Sequence, residues 1–158
     1  MKVWLLAVGR PGALLADAVA DYEKRAGRYW NFVAIEVKEE RARAGISQEQ
    51  IRQIESERLL QRVPAGAELL ALTREGQPWS SAELARYFEN LQLSGKAGAA
   101  FLIGGALGLS SDAIGKANRQ VSLSALTLTH ELARLLLTEQ IYRAGTILRG
   151  EPYHKARR

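Results

Sequence analysis

The sequence predicts a single α/β domain with a mostly parallel central sheet flanked by helices. Three observations predict it. Strand-like and helix-like segments alternate along the whole chain, the strand segments are short and apolar, and 158 residues suffice for one substantial core. No repeat, low-complexity run or linker divides the chain, so residues 1–158 are expected to form one domain. With 47% apolar and 25% charged residues, the composition lies far from the polar, charge-rich mixtures that remain disordered.

Each element has its own signal. Lys2 to Val8 is an apolar run of strand length, and Leu14 to Ala26 carries apolar residues at helical spacing. Phe32 to Val37 alternates apolar and polar residues, the two-residue period of a strand. Ser47 to Arg62 returns to helical spacing, with Ile51, Ile54 and Leu59 on one side. Glu68 to Thr73 has the pattern of a buried strand, and Ser80 to Leu93 that of a helix opened by a serine cap. Ala99 to Ile103 is a short apolar strand running into Gly104-Gly105. Ser111 to Asn118 gives a short helix, Val121 to Leu126 a fifth strand, and Glu131 to Leu148 a long closing helix. Parallel sheets bind ligands beyond the carboxyl ends of their strands, which directs attention to the loops after Leu72, Ile103 and Leu123.

The absence of cysteine removes disulfides, thiolate zinc sites and cysteine nucleophiles together, and no metal site is expected. Lys2 before an apolar stretch, with Ala18-Val19-Ala20 further on, has some features of a signal peptide. The uninterrupted run from Val3 to Val8 is shorter than the ~7 to 15 residues such a segment needs, and Arg10 and Asp17 interrupt the residues beyond it. No stretch approaches the ~20 apolar residues of a membrane span. The expectation is a cytoplasmic protein that does not meet a membrane.

The net charge of +5 is modest, but it is unevenly placed. Arg143, Arg149, Lys155, Arg157 and Arg158 face the single acid Glu151, so the C-terminal stretch carries a net +4. Such a tail suits a polyanionic partner. The closing helix is apolar on more than one side, through Leu132, Leu135, Leu136, Leu137, Ile141, Tyr142, Ile147 and Leu148. A surface this wide must be covered on more than one side. Burial within one subunit would do so, as would a symmetric dimer interface; for the last helix of a small domain the expectation is a homodimer.

Three stretches are candidates for chemistry. Phe101 to Ser110 passes from a strand into a loop with Gly104, Gly105 and Gly108, where a ligand could approach the backbone closely or the chain could simply turn. The loop lacks the Lys-Ser/Thr pair of a phosphate-binding P-loop. Ser122 to His130 mixes hydroxyl and apolar residues before the closing helix, and Thr129 can also serve there as a plain N-cap. His130 is expected to be structural or to touch the tail. In that tail, Tyr153 could stack on a base, His154 could take a proton and Lys155 could hold phosphate. A fourth stretch, Gly9-Arg10-Pro11-Gly12 with Glu36 further on, only faintly echoes a dinucleotide fingerprint, since Pro11 removes a backbone donor.

Taken together, Leu102-Ile103-Gly104-Gly105 with Gly108-Leu109, the Ser122-to-Leu128 segment with His130, Glu139-Gln140-x-Tyr142-Arg143-Ala144 and Tyr153-His154-Lys155 resemble the ribosomal RNA large-subunit methyltransferase H family of the SPOUT superfamily. The resemblance spans the chain and includes Gln77-Pro78-Trp79. It implies a SPOUT-type α/β-knot with a C-terminal trefoil knot, a homodimer, and S-adenosyl-L-methionine as cofactor. The implied cofactor-binding residues are Leu72, Gly104, Leu123, Ser124, Ala125, Leu126, Thr127 and Leu128. The implied reaction is methylation of N3 of a pseudouridine in large-subunit ribosomal RNA, with the assembled ribosome as partner. Aligning the reacting atoms and removing the N3 proton are the tasks left to the protein. The tail is then expected to carry catalysis through His154, Tyr153 and Arg143, and RNA binding through Lys155, Arg157 and Arg158. Two positions depart from the family pattern: Thr129 where relatives often have proline, and Ala106-Leu107 in place of a more polar pair.

A knotted methyltransferase acting on another RNA, and a non-catalytic dimeric module that binds RNA or the ribosome, remain alternatives at this point. Cofactor titration separates the enzymes from the module, and NAD binding near Gly9 would mark a remote nicotinamide reading.

Overall fold

The computed structural model describes residues 1–155; Arg157 and Arg158, expected to hold phosphate, lie outside the described residues. The elements are β1 (Lys2–Val8), α1 (Ala13–Ala26), β2 (Asn31–Val37), α2 (Gln48–Leu60), β3 (Ala67–Pro78), α3 (Ser81–Leu93), β4 (Gly98–Ile103), α4 (Ser111–Lys116), β5 (Arg119–Ser122), α5 (His130–Leu148) and a closing 3-10 turn (Pro152–Lys155). The five strands lie in the order β2-β1-β4-β3-β5, and every neighbouring pair is parallel. The α/β class and the parallel sheet are as the sequence predicts.

Strands covered on both faces should be apolar at every position rather than alternating. β4 fits this, being buried throughout. On β1, Val3, Leu5 and Ala7 join Phe88 of α3 and Leu137 and Ile141 of α5 on one face of the sheet. Trp4, Leu6 and Val8 turn to the other face, where Leu59 of α2 and Ala113 of α4 meet them. The helices α2, α3, α4 and α5 start from side-chain caps, while α1 opens at Gly12 without one. Ser47 and Ser80 each form a reciprocal capping box, with Gln50 and Glu83 respectively, and Thr129 accepts the Leu132 N–H at the start of α5, as expected.

Two strand boundaries differ from the sequence-based expectation, and both differences build the site. The fifth strand, expected from Val121 to Leu126, occupies Arg119–Ser122 instead. Beyond it the Ser122 hydroxyl donates to the Ser124 carbonyl at 2.9 Å, and the Ser124 hydroxyl accepts the Leu126 N–H at 2.9 Å. Hydroxyl side chains thereby take backbone partners that a strand would need, and the chain leaves the sheet. The third strand runs on to Pro78, but its pairing with β5 breaks between Leu72 and Gln77, both of which align with Val121. Residues 73–76 therefore bulge outward. Gly76 permits this, since a Cβ there would lie 2.6 Å from the Val121 backbone nitrogen.

α5 is anchored by a buried charge. Arg134, 6% exposed, donates to Glu23 of α1 at 2.8 Å and to Glu36 of β2 at 2.6 Å. Its helix spacing matches the apolar residues around it, so only its partners reveal why a cation is tolerated there.

Candidate active site

The bulge after Leu72, the loop after β4 and the segment after β5 converge at one edge of the sheet. They enclose an open cavity of about 520 Å³, within the range of small-molecule and cofactor sites. Leu72, Leu123, Ser124, Leu126, Thr127 and Leu128 line it together with Gly105, Ala106, Leu107, Gly108 and Leu109. These are six of the eight residues expected to bind the cofactor. Gly104 and Ala125 do not line the cavity. Gly104 lets the loop close on itself, because a Cβ there would lie 2.5 Å from the Gly108 carbonyl carbon. Ala125 is exposed.

The walls are pinned by polar contacts. Arg74, in the bulge, donates to the Thr127 hydroxyl at 2.9 Å and ties β3 to the segment after β5. Arg52 of α2 donates from Nε to the Leu107 carbonyl at 2.8 Å, and the Ser110 N–H donates to the Ser56 hydroxyl at 2.8 Å. Sequence reasoning missed Arg52, Glu55 and Ser56. The signal was present: Glu55 lies between Ile51 and Leu59 on the buried side of α2, so a carboxylate occupies a core position of an amphipathic helix.

The lining fits S-adenosylmethionine. Leu72, Ile114, Leu123, Leu126 and Leu128 offer apolar surface for a flat base, while loop backbone, Thr127, Arg52, Arg74 and Glu75 offer polar partners for ribose and a zwitterionic amino acid. Among the described residues no group of acidic or histidine side chains could hold a metal ion. No described helix is long and apolar enough to cross a membrane.

The tail residues gather elsewhere. The Tyr153 hydroxyl donates to Glu139 at 3.0 Å, and its ring packs 4.6 Å from that of Tyr142. Arg143 lies over the Tyr153 ring at 5.0 Å and donates to Glu139 at 2.6 Å. The Glu139 hydrogen bond raises the Arg143 pKa, so its charge is fixed. Burial pushes the Tyr153 hydroxyl up, and its bonds to Tyr22 and Glu139 add to this. Glu151 accepts from the Tyr29 hydroxyl. His154 Nδ1 is buried without a hydrogen-bond partner among the described residues. Arg143 and Tyr153 are thus brought together, with His154 next to Tyr153 in the chain, but neither they nor Lys155 line the cavity of the same chain. The cavity meets α5 at Ala133, ~15 Å along the helix axis from Arg143.

The first loop does not repeat the cavity. Glu36 is taken by Arg134, and the gap between Gly9, Pro11 and His130 measures about 10 Å³, too small for a nucleotide. His130 faces this gap, at the opposite end of α5 from the tail.

Comparison with known proteins identifies the family. A family described as "Predicted SPOUT methyltransferase" matches residues 1–154. A protein of Gemmatimonas aurantiaca named ribosomal RNA large subunit methyltransferase H is 49% identical, covering 98% of this chain and all of the relative. Proteins of the same name from Anaeromyxobacter and Acetivibrio thermocellus are 43% and 38% identical over the same shares. The crystal structure of a probable methyltransferase from Bordetella pertussis superposes with a TM-score of 0.55 over 90% of this chain and 95% of that one, at 18% identity, a likeness of fold. On the full-length match and the identities, the chain belongs to the SPOUT methyltransferase family.

Proposed function

We propose that this protein transfers a methyl group from S-adenosylmethionine to N3 of a pseudouridine in large-subunit ribosomal RNA, acting as a cytoplasmic homodimer on the assembled ribosome. One observation carries the reading: the glycine loop after β4 and the segment after β5 form the walls of a single cofactor-sized cavity. The names borne by full-length relatives support the RNA class.

When bound, the cofactor supplies a methyl group on a positively charged sulfur. Leu72 and Leu126 flank the base, backbone groups of residues 123–128 read its edge, and Gly104 keeps the loop closed enough to leave room. The remaining work is done by the tail. His154 takes the N3 proton as the new nitrogen–carbon bond forms. Tyr153 and Arg143 position the uridine, while Lys155, Arg157 and Arg158 hold phosphate.

Dimerisation accounts for the separation of tail and cavity. Leu132 and Leu136 of α5 are 39% and 38% exposed, and Leu136 borders a cleft of about 230 Å³ with Trp79 and Leu84. Leu123 lines both this cleft and the cavity. A second copy seated across α5 would adjoin the cofactor site and could bring its own tail there. A C-terminal trefoil knot belongs to the same proposal. The full-length family match supports it.

Mass mapping of large-subunit RNA from cells with and without the protein tests the function. One methyl mark at a pseudouridine should vanish on deletion and return with the intact protein. An unchanged map would contradict the proposal, and a mark lost from another RNA would redirect it to that substrate.

A further inference from the structure

Glu55 is 3% exposed, and a carboxylate is rarely buried without strong partners. Its partners are modest. Oε2 accepts the Glu40 backbone N–H at 3.1 Å. Oε1 faces the glycine loop so closely that a Cβ on Gly105 would lie 2.9 Å from it, and Gly105 itself lines the cofactor cavity.

The rest of that helix face already secures the loop. Arg52 holds the Leu107 carbonyl and Ser56 holds the Ser110 N–H, so neither loop contact depends on Glu55. An apolar or amide side chain would pack there at lower cost in desolvation. Burial pushes the Glu55 carboxyl up and the nearby Glu39 carboxylate adds to this, while the Glu40 N–H, the Arg58 guanidinium and His130 favour its charged form. The charge therefore needs an explanation beyond packing.

We propose that Glu55 is a positioning and specificity residue of the cavity, whose carboxylate places negative potential behind Gly105 and favours the cationic cofactor over its neutral demethylated product. This rests on the reading of the cavity as an S-adenosylmethionine site. Cofactor and product differ by one methyl group and one unit of charge. Apolar walls and backbone hydrogen bonds meet both alike, whereas charged groups distinguish them: Arg52 and Arg74 in the lining oppose a sulfonium, and Glu75 with the buried Glu55 favours it. The preference would favour exchange of spent for fresh cofactor.

Calorimetric titration of the full-length protein with S-adenosylmethionine and S-adenosylhomocysteine tests this. Glu55→Gln, which keeps the shape and removes the charge, should weaken binding of the sulfonium compound by on the order of tenfold, the factor that the loss of ~1.4 kcal/mol of charge attraction produces. Binding of the neutral product should change much less. Equal losses for both ligands, or no loss for either, would overturn the proposal. Should the variant fail to fold, the unmodified protein decides: sinefungin, with an ammonium-bearing carbon in place of the sulfonium, should bind more tightly than S-adenosylhomocysteine. Sinefungin binding no tighter than the product would reject it. An unmodified protein that binds none of the three would instead contradict the cofactor reading itself.

Discussion

The cavity beyond β3, β4 and β5 is walled by backbone loops that α2 and Arg74 pin at Leu107, Ser110 and Thr127. The tail is assembled differently, from aromatic rings and carboxylates that fasten a 3-10 turn to α5 and α1. The cavity consequently depends on backbone shape, where one added atom displaces a loop. The tail depends on individual polar partners, where one lost group removes one contact. The two regions should respond separately to mutation: cofactor binding should track the loops and turnover the tail.

The largest separation is expected for His154→Ala. General base contributions of about 10² to 10⁴ in rate predict a loss of that order in turnover, with cofactor affinity unchanged within about twofold. Single-turnover assays paired with calorimetry measure both, and a parallel loss of the two would merge the regions. Gly104→Ala is the converse. Its Cβ would collide with the Gly108 backbone, so the loop must shift, and a strain of about 1 to 3 kcal/mol felt at the site corresponds to about tenfold or more in affinity. Calorimetry should show that loss in cofactor affinity, and thermal unfolding should show a cost of about 1 to 3 kcal/mol. Unchanged affinity would mean that the loop does not shape the site.

A smaller effect distinguishes the regions by pH. Burial, reinforced by the hydrogen bond to Glu151, pushes the Tyr29 pKa up to about 12 from its ordinary value near 10. A raised folded-state value means that the neutral hydroxyl stabilises the folded protein below pH ~10, and that this stability is lost as pH rises through about 12. The stability difference between the natural protein and Tyr29→Phe should therefore shrink across that window in unfolding experiments. The cavity has no tyrosine in its lining, so Tyr29→Phe should leave cofactor affinity unaltered. The smallest effect belongs to Thr129→Ala, which removes the α5 cap and should cost about 1 kcal/mol. Thermal unfolding would detect it.

The same division explains what could be read from sequence. The strands of the sheet were legible because β1 and β4 are covered on both faces and are apolar nearly throughout. The loops after Leu72 and Ile103 were legible because parallel sheets bind ligands beyond the carboxyl ends of their strands. The end of β5 was not, because Ser122-Leu123-Ser124-Ala125-Leu126 has the alternation of a strand while its hydroxyls bind the local backbone instead. Arg134 and Glu55 were also hidden. Both sit on buried helix faces, but apolar patterning gives no account of a charge whose partners lie far away in sequence. The separation of tail and cavity was equally invisible, since a list of motif residues carries no distances.

The central claim is that the loop after β4 and the segment after β5 together hold the cofactor. Titration of isotopically labelled protein with S-adenosylmethionine, monitored through backbone amide resonances, tests it most directly. Concerted shifts are expected at Leu72, at residues 105–109 and at residues 123–128, with Gly9, Arg10 and His130 little affected. Shifts centred on the first loop, or confined to only one of the two cavity walls, would contradict it.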